Sequence, residues 1–380
     1  MLRESRDRQV LVVGDGTVGR VLTGLLQRAG FDPVLASTHA DSVEPAAGLV
    51  DAGAFDVLAA AGVAEDVRER GREVVAVRST WPGDDGDDPA SSVAPLPQDG
   101  ARPVAIDTAT IRRLVDAECG TARTAPERTV DAIVRVEDGV EVAFENGVRE
   151  WFDVVVDVTG AGLSQGASPP CGETASLRQY ETRLAPAPDA RAELRDVWTD
   201  AGLVQCVPVR DATAALVRVT TPASDRSPGP PDAAVADHLP EDLAGLSTAL
   251  ADADATAVEQ RRPDDDEPLP RSWGRGRVMR CGVAASPVAP ASGLAVSRGI
   301  EDAGALATAL TRSRDSVEAT VAAYTADRER AIRTARLERS ATDTSPGPPP
   351  SELATDGLRA LATDRRIALA AIRHPTRSTD

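Results

Sequence analysis

Three glycines near the start of the chain are spaced for binding a phosphate group. Gly14, Gly16 and Gly19 form a G-x-G-x-x-G pattern between a short apolar run and an apolar helical pattern. In such a strand-turn-helix the first glycine allows the tight bend, the second lets backbone approach phosphate, and the third lets the helix pack on the strand. The helix start at Thr17 and Val18 then faces the anion. We expect a dinucleotide pyrophosphate here; the alternative is a structural turn in an α/β domain.

Two polar positions bear on the rest of this ligand. Asp15 puts a carboxylate beside the expected pyrophosphate, where like charge is unfavourable unless the side chain points away. At the end of the second strand, where such folds usually carry an acidic residue for the adenosine ribose, this chain has Ser37. A hydroxyl bonds ribose more weakly than a carboxylate does. Asp41 lies close enough in sequence to substitute, but we assign the ribose to Ser37.

A second glycine-rich segment lies late in the chain. It contains, in order, Trp273-Gly274-Arg275-Gly276-Arg277-Val278, Gly282-Val283-Ala284-Ala285-Ser286, Pro290-Ala291-Ser292-Gly293 and Glu301-Asp302-Ala303. This order resembles the motifs W-x-x-G-R-V, G-D-A-A-H, P-x-x-G-x-G and E-D-A of the FAD-dependent monooxygenases similar to para-hydroxybenzoate hydroxylase. Residues 48–71, 153–160 and 324–330 are similar to further stretches of that family, so the resemblance covers most of residues 8–340.

The resemblance implies FAD as the cofactor and extends the predicted site beyond the glycine turn. It implies that the flavin side involves Thr108, Gly160, Gly282, Val283, Pro290 and Gly293. Departures from the family's residues stand at Thr108 (usually arginine), Val283 (aspartate), Ser286 (histidine), Ala295 (glycine) and Ser297 (asparagine). Each lost charge-assisted hydrogen bond costs about 1.5 to 3 kcal/mol, so we expect weaker FAD binding at the flavin end unless other contacts compensate.

The resemblance also implies a reaction. In the family, NAD(P)H reduces FAD, and oxygen is then inserted into, or hydride exchanged with, a small organic substrate. No catalytic side chain is assigned, because in such chemistry the cofactor performs the difficult step. Two alternatives stay open: a non-catalytic descendant that keeps the fold as a binding or interaction protein, and an oxidoreductase that uses NAD(P) alone.

The predicted fold class is α/β, with a Rossmann-type FAD-binding domain and an inserted, sheet-rich substrate domain. Residues 1–170 and 271–340 form the discontinuous FAD-binding domain. Residues 171–270 form the substrate domain, to which residues 72–100 can contribute strands. Residues 341–380 hold a proline-rich break and a C-terminal helix.

Hydrophobic periodicity predicts the individual elements. Strands are expected at 33–36, 130–136, 140–144, 154–158, 203–207, 215–219 and 278–283. Helices are expected at 18–29, ending at Gly30, and at 52–69, 109–118, 297–310, 317–339 and 352–372. Residues 84–100 are rich in Asp, Pro and Ser, which favours a loop.

The charge composition narrows the choice of partners and setting. Acidic residues outnumber basic ones by 60 to 42, and every basic residue is arginine. This balance speaks against nucleic acid as a partner. In molar salt the Debye length falls to roughly 3 Å, so a carboxylate surplus is tolerated and keeps a protein in solution. We expect a halophilic, haloarchaeal source; a GC-rich genome that favours arginine is the alternative.

The absence of targeting signals gives expectations about location. The sequence begins without a signal peptide, and no apolar run approaches the roughly 18 residues that a membrane span needs. We therefore expect a cytoplasmic protein with no membrane span. The sequence leaves the oligomeric state open.

Other chemistry has weaker support. Ser164 lies in a G-x-S-x-G pattern, but the prolines at 169–170 forbid the helix that a nucleophile elbow requires. The three histidines lie far apart, and the four cysteines form no C-x-x-C pair, so we expect no metal site. Trp151, Tyr180 and Trp198 are expected in the core. The arginine-rich helix 327–339 is expected to face solvent with internal ion pairs.

Overall fold

A computed structural model describes fourteen segments of the chain. They are residues 8–37, 45–82, 90–96, 102–120, 123–136, 138–159, 174–184, 192–199, 202–209, 215–222, 256–261, 273–285, 294–313 and 316–341. The predicted proline-rich break, the last helix and the G-x-S-x-G pattern lie outside these residues.

Strands and helices alternate in the first half of these segments, and strands dominate the middle. The strands are β1 (Val10–Val13), β2 (Val34–Ser37), β3 (Ala47–Val50), β4 (Arg72–Glu73), β5 (Ala76–Trp81), β6 (Ala90–Pro95), β7 (Val104–Asp107), β8 (Arg123–Val136), β9 (Gly139–Phe144), β10 (Arg149–Phe152), β11 (Val154–Asp157), β12 (Thr174–Leu184), β13 (Glu193–Trp198), β14 (Leu203–Val207), β15 (Ala215–Pro222), β16 (Thr256–Arg261), β17 (Gly274–Arg275) and β18 (Val278–Arg280). The helices are α1 (Thr17–Arg28), α2 (Ala52–Ala60), α3 (Ala64–Arg70), α4 (Thr108–Cys119), α5 (Ala295–Arg312) and α6 (Val317–Ala341).

The site rests on a mixed sheet, called here the main sheet. Its described strands follow the order β10-β9-β8-β2-β1-β11-β18-β17. Strands β8, β2, β1, β11 and β18 are parallel neighbours, and β9, β10 and β17 add antiparallel pairs at the two ends. Because β1 and β11 are parallel neighbours, their carboxyl ends lie side by side at one edge of the sheet. Open α/β sheets bind their ligands at this edge.

Strand β1 is apolar throughout because both of its faces are buried. Val10 and Val12 pack with the helices, in a core that also contains side chains of α1, α2, α4 and α5. Leu11 and Val13 point to the other face, where the meander β8–β10 covers them with Phe144. The short apolar run at the start of the chain is therefore the centre of the molecule.

The remaining strands form two further sheets. Among the described residues the second sheet has the order β16-β12-β15-β14-β13-β5-β6, and a small sheet has the order β3-β7-β4. Strand β5 pairs in parallel with β13, so residues 76–81 lie in the same sheet as strands from residues 174–261. An apolar cluster that includes Leu49, Leu96 and Leu194 joins the small and second sheets. The exact domain boundaries stay a prediction.

Most predicted elements agree with the structure, but the region 52–69 contains two helices. Helix α2 ends in a Schellman arrangement in which Gly62 has φ +83° and the Val63 N–H donates to the Leu58 carbonyl at 2.9 Å. Helix α1 ends in the same way, with Gly30 at φ +86°, as predicted. In both cases the glycine takes a left-handed conformation that other residues adopt at a cost.

Three further expectations were wrong. The region 84–100 contains strand β6, which pairs with β5 although Ser and Pro dominate its sequence. Trp151 is 37% exposed rather than in the core, because its ring lies over Gly139 on the outer face of β9. Arg328 of helix α6 is largely buried rather than solvent-facing. Tyr180 and Trp198 are buried, as predicted.

Helix α6 is anchored to the main sheet by one aromatic side chain. Tyr324 is fully buried, and its hydroxyl donates to the Arg280 carbonyl at 3.0 Å. Its ring meets Trp273 edge-on, with 5.8 Å between centroids. The tyrosine therefore combines an apolar ring with a satisfied polar atom.

Replacing Tyr324 tests this anchor. Tyr324→Phe keeps the ring and loses the hydrogen bond, so we expect the free energy of unfolding to fall by about 1 kcal/mol. Tyr324→Leu also loses the edge-on contact and ring volume, and should cost about 3 kcal/mol. Chemical denaturation measures both. Equal costs for the two variants would contradict the ring's contribution.

Among the described residues, no helix is both long enough and apolar enough to cross a membrane.

Candidate cofactor-binding site

The first glycine turn closes tightly over the end of the sheet. Gly14 has φ +118°, and its N–H donates to the Ala36 carbonyl on β2 at 2.8 Å. A Cβ at this position would lie 2.7 Å from Val158 Cγ2, directly after β11. The turn therefore needs glycine twice over, once for its conformation and once for its contact with the neighbouring strand end.

Helix α1 begins at this turn with its N-terminus uncovered by side-chain caps. Gly16 is the N-cap and offers no side chain, and the first turn of the helix contains no acidic residue. Gly19 packs so closely that a Cβ there would lie 1.9 Å from the Gly14 carbonyl oxygen. The first backbone N–H groups of a helix have no partner within it, and the helix dipole favours an anion beside them. This end of the site fits a pyrophosphate.

The charges around the turn also suit an anion. The Asp15 side chain is exposed to solvent, which screens its charge. Arg20 lies against the turn, with Nε donating to the Asp15 carbonyl at 2.9 Å and a guanidinium nitrogen 2.5 Å from Asp116 on α4. Our sequence reasoning missed Arg20, although its place one turn after Gly16 was a usable signal.

The late glycine segment meets the same helix start. Gly282 opens a 3-10 turn (Gly282–Ala284) with φ +65°, and a Cβ there would lie 3.3 Å from Val18 on α1. Gly299 on α5 approaches the same valine even more closely, since its Cβ would lie 2.4 Å from Val18 Cγ2. The structure thus brings the two glycine motifs together around Val18.

The other predicted residues divide into three groups. Thr17 is buried, and its hydroxyl lies 3.4 Å from the Thr108 carbonyl at the start of α4, so Thr108 borders the helix start. Ser37 ends β2, half-buried, where the pairing with β8 shifts register. Gly160, Pro290 and Gly293 lie outside the described residues, and Val283 is described only as part of the 3-10 turn.

The hydroxyls of Thr108 and Ser297, two positions at which the sequence departs from the monooxygenase family that it resembles, form hydrogen bonds within the protein. The Thr108 hydroxyl lies 3.0 Å from the Pro45 carbonyl and 3.2 Å from that of Ala46. The Ser297 hydroxyl donates to Asp51 at 2.7 Å and accepts from the Asp51 N–H at 3.0 Å. Both side chains are buried. They stabilise the segment before β3 and the start of α2.

A network of buried charges lies on the other side of helix α5. Arg298 contacts both carboxylate oxygens of Glu301 at 2.7 Å and one oxygen of Asp51 at 3.1 Å. Asp302 accepts from the Gly282 N–H at 3.1 Å and from Arg328 at 3.2 Å. Sequence reasoning quoted the E-D-A motif but assigned these side chains no contacts.

Burial changes the proton affinity of this network. Desolvation and the neighbouring Asp51 raise the pKa of Glu301 to about 7, although Arg298 opposes the shift. Desolvation raises the pKa of Asp302 to about 6, with Arg328 again opposing. Two guanidinium groups are contacted by four carboxylates, those of Asp51, Glu301, Asp302 and Asp327. With the pKa values of Glu301 and Asp302 raised, the network takes up a proton near neutral pH.

The described residues offer no obvious metal centre or catalytic dyad. Within the described segments, no three His, Cys, Asp or Glu side chains are grouped to hold a metal ion. The N-terminus of helix α1 has no side-chain cap and lies beside the carboxyl ends of β1, β2 and β11. The glycine turns at Gly14 and Gly282 border it. These features define a Rossmann-type dinucleotide-binding fold.

Comparison with known proteins adds a match to an FAD-binding family over the first part of the chain and a shared fold. Residues 7–145 match the family model described as FAD binding domain. The structure is similar to HpxO of Klebsiella pneumoniae complexed with FAD and uric acid, with a TM-score of 0.67, 18% identity and coverage of 97% of this chain and 89% of that one. It is also similar to pqsL of Pseudomonas aeruginosa, a probable FAD-dependent monooxygenase, with a TM-score of 0.68, 20% identity and coverage of 96% and 99%.

A curated relative is more similar in sequence. The chain is 26% identical over 324 residues to dialkyldecalin synthase of Streptomyces rugosporus, which covers 77% of this chain and 63% of the relative. The chain therefore spans less than two thirds of the length of that relative. Residues 7–145 are thus similar to an FAD binding domain, and the described structure has a fold similar to that of HpxO and of the probable FAD-dependent monooxygenase pqsL.

Substitution of Gly19 tests the close packing at the phosphate end. In Gly19→Ala the new methyl group meets a backbone oxygen that cannot rotate away, so helix α1 must shift. We expect the free energy of unfolding to fall by about 3 kcal/mol or more. Gly30→Ala is the control, because it adds left-handed strain but meets nothing within 4 Å, and should cost about 1 to 2 kcal/mol. Equal costs for both variants would disprove the close approach.

Glu301 should make stability depend on pH. Its pKa is about 7 in the folded protein against 4.5 for the free group, so the folded state holds the proton more tightly. The stabilisation is complete below pH 4.5 and is lost as pH rises through about 7. In Glu301→Gln we expect the fall in unfolding free energy between about pH 6 and pH 8 to shrink, by on the order of 2 kcal/mol at most.

Glu318→Gln provides the matched control for this titration. Glu318 is exposed at the start of α6, and hydrogen bonds from its own N–H and from Ser316 lower its pKa. Glu318 therefore changes its charge only at acidic pH. Glu318→Gln should leave the pH dependence of the free energy of unfolding above about pH 6 unchanged. Denaturation curves at a series of pH values measure both variants. An unchanged slope in Glu301→Gln would show that another group carries the proton.

Proposed function

We propose that the chain is an FAD-dependent oxidoreductase of the monooxygenase type, acting on a small organic substrate with NAD(P)H as reductant. The observation that carries this proposal is the uncapped start of helix α1, held between Gly14 and Gly282 at the carboxyl ends of β1 and β11. The match of residues 7–145 to the FAD binding domain family supports the pyrophosphate of FAD as the group bound at this point.

Each part of FAD has a matching part of the chain. The helix start at Gly16, Thr17 and Val18 would bind the pyrophosphate through backbone N–H groups. Ser37, at the end of the neighbouring strand β2, would bond the adenosine ribose. Gly282 would bring backbone close to the flavin side. When bound, FAD supplies the redox chemistry itself, while the protein's own groups bind, orient and exclude water.

The substrate is proposed only as a class. Solved neighbours are complexed with uric acid in one case and with 2-aminobenzoylacetate in another, both small organic molecules. In this chain the second sheet, which packs on the small sheet through Leu49 and Leu194, would provide the substrate side. The acidic, lysine-free composition supports a salt-rich cytoplasm as the setting.

A second candidate is a flavin-binding protein that does not oxidise NAD(P)H. It is favoured by the internal hydrogen bonds of Thr108 and Ser297, which commit two hydroxyls near the predicted flavin end to the protein itself. The curated relative is named for a product, a dialkyldecalin, rather than for an oxidation. Under this candidate FAD would bind, but no reductant would be consumed.

A visible spectrum of the protein purified in high KCl separates these functions. A protein that is yellow as purified, or that takes up added FAD, supports the first proposal only if it also speeds NAD(P)H oxidation. Binding of FAD without NAD(P)H oxidation supports the second candidate. A colourless protein that does not take up FAD excludes both, and NAD(P) binding alone would then indicate an oxidoreductase without flavin.

Arg20 provides a sharper test of where the pyrophosphate lies. Arg20→Gln removes a cation beside the turn and should weaken FAD binding about fivefold, since ~1 kcal/mol is typical for such a partly buried charge. Arg20→Lys should restore most of the affinity. Arg28→Gln is the control, because Arg28 also joins α1 to a carboxylate of α4, Glu118, but at the far end of the helix.

Titration of FAD against each apo variant, followed by flavin fluorescence, measures these effects. If Arg20→Gln and Arg28→Gln bind FAD equally well, the pyrophosphate does not lie at the start of α1.

A further inference from the structure

A side chain of helix α5 forms a hydrogen bond with the turn at Gly282. Gly282 has a left-handed conformation, and its N–H donates to Asp302 Oδ2 at 3.1 Å. The residue before it is fixed by the main sheet, since the Cys281 N–H donates to the Asp157 carbonyl at 3.0 Å. Asp302 thus determines the direction in which the chain leaves β18, next to Val18 and the start of α1.

The Asp302 carboxylate is itself held by helix α6. Its second oxygen, Oδ1, accepts from Arg328 at 3.2 Å, and the side chain of Asp302 is only 5% exposed. Arg328 also contacts Asp327 at 2.6 Å, and that carboxylate is half-exposed. Asp302 therefore uses one oxygen for the turn and one for the cation, so both bonds depend on its negative charge.

Every element packed around Asp302 contributes a charged or titratable group. Helix α5 provides Arg298 and Glu301, helix α6 provides Arg328 and Tyr324, and the segment after β18 provides Cys281. Burial raises the pKa of the carboxyl to about 6 in spite of the two arginines. Protonation would weaken the bond to the Gly282 N–H and leave Arg328 with one buried partner fewer.

We propose that Asp302 is a positioning residue for FAD, whose ionised carboxylate fixes the Gly282 turn against Val18, with Arg328 as the counter-ion that holds it. The proposal rests on FAD binding as the proposed function. It links helix α6, through Arg328 and Asp302, to the affinity of the flavin side of the site. FAD affinity should then fall as Asp302 takes up a proton.

The test measures the dissociation constant of FAD against pH for the full-length protein and its variants. For the unaltered chain we expect about fivefold weaker binding at about pH 5 than at about pH 7.5, because a protonated form that binds about tenfold more weakly and a carboxyl pKa of about 6 in the free protein give that ratio. Asp302→Asn keeps the shape and an acceptor oxygen but not the charge. It should bind FAD about tenfold more weakly at about pH 7.5, with little change down to about pH 5.

Two controls separate this role from general destabilisation. Asp327→Asn removes another carboxylate that contacts Arg328 without touching Gly282, and should keep both the affinity and its pH dependence. Glu301→Gln removes the neighbouring buried acid, and should keep the fall in affinity centred near pH 6. Thermal unfolding of each apo variant shows whether it is folded at the titration temperature, and Asp302→Asn/Arg328→Gln removes both charges if Asp302→Asn alone is unfolded.

The outcomes are distinct. Weak, pH-independent binding by the variants at Asp302, with normal profiles in both controls, supports the proposal. Binding by Asp302→Asn or by the double variant that matches the unaltered chain in strength or in pH profile overturns it while FAD binding stands. If the unaltered chain binds no FAD at any pH, the proposed function itself fails and the positioning role fails with it.

Discussion

The packing of helix α1 on the turn that precedes it is the contact on which the rest of the site depends. Gly19 lies so close to the Gly14 carbonyl that no side chain fits between them, and a side chain at Gly14 would meet Val158, directly after β11. A helix N-terminus can present its N–H groups to a phosphate only if the backbone around it is bare. The absence of side chains at the turn therefore gives both the tight packing and the room for an anion.

The second constraint is electrostatic. Asp51, Glu301 and Asp302 share two arginines in the space between α2, α5 and α6. A buried ion pair is weak evidence for net stability, because desolvation offsets most of the Coulombic attraction. The buried ion pairs have a clearer effect on geometry, because each charge-assisted hydrogen bond fixes the relative positions of the two groups that it joins. Here those groups include the N-cap of α2 and the Gly282 turn, at two borders of the site.

Local sequence signals predicted the elements that depend on local physics. The apolar run of β1, the glycine turn, the periodicity of α1 and its stop at Gly30 all follow from steric and hydrophobic rules acting within a few residues. The same rule would have divided the region 52–69, because Gly62 ends α2 as Gly30 ends α1. Strand β6 had no such signal, since it is held by pairing with β5 and not by its own composition.

The sequence by itself determined the strand-turn-helix at Gly14, the α/β class and the close packing of Gly19 on the preceding turn. Only the tertiary structure decided which distant residues meet there. It placed Gly282 and Gly299 against Val18, laid Arg20 on the turn, and turned Arg328 inward to Asp302 in a helix whose sequence looks solvent-facing. The physical reason is that spacing along a chain sets local conformation, whereas charge pairing and close packing depend on which elements become neighbours.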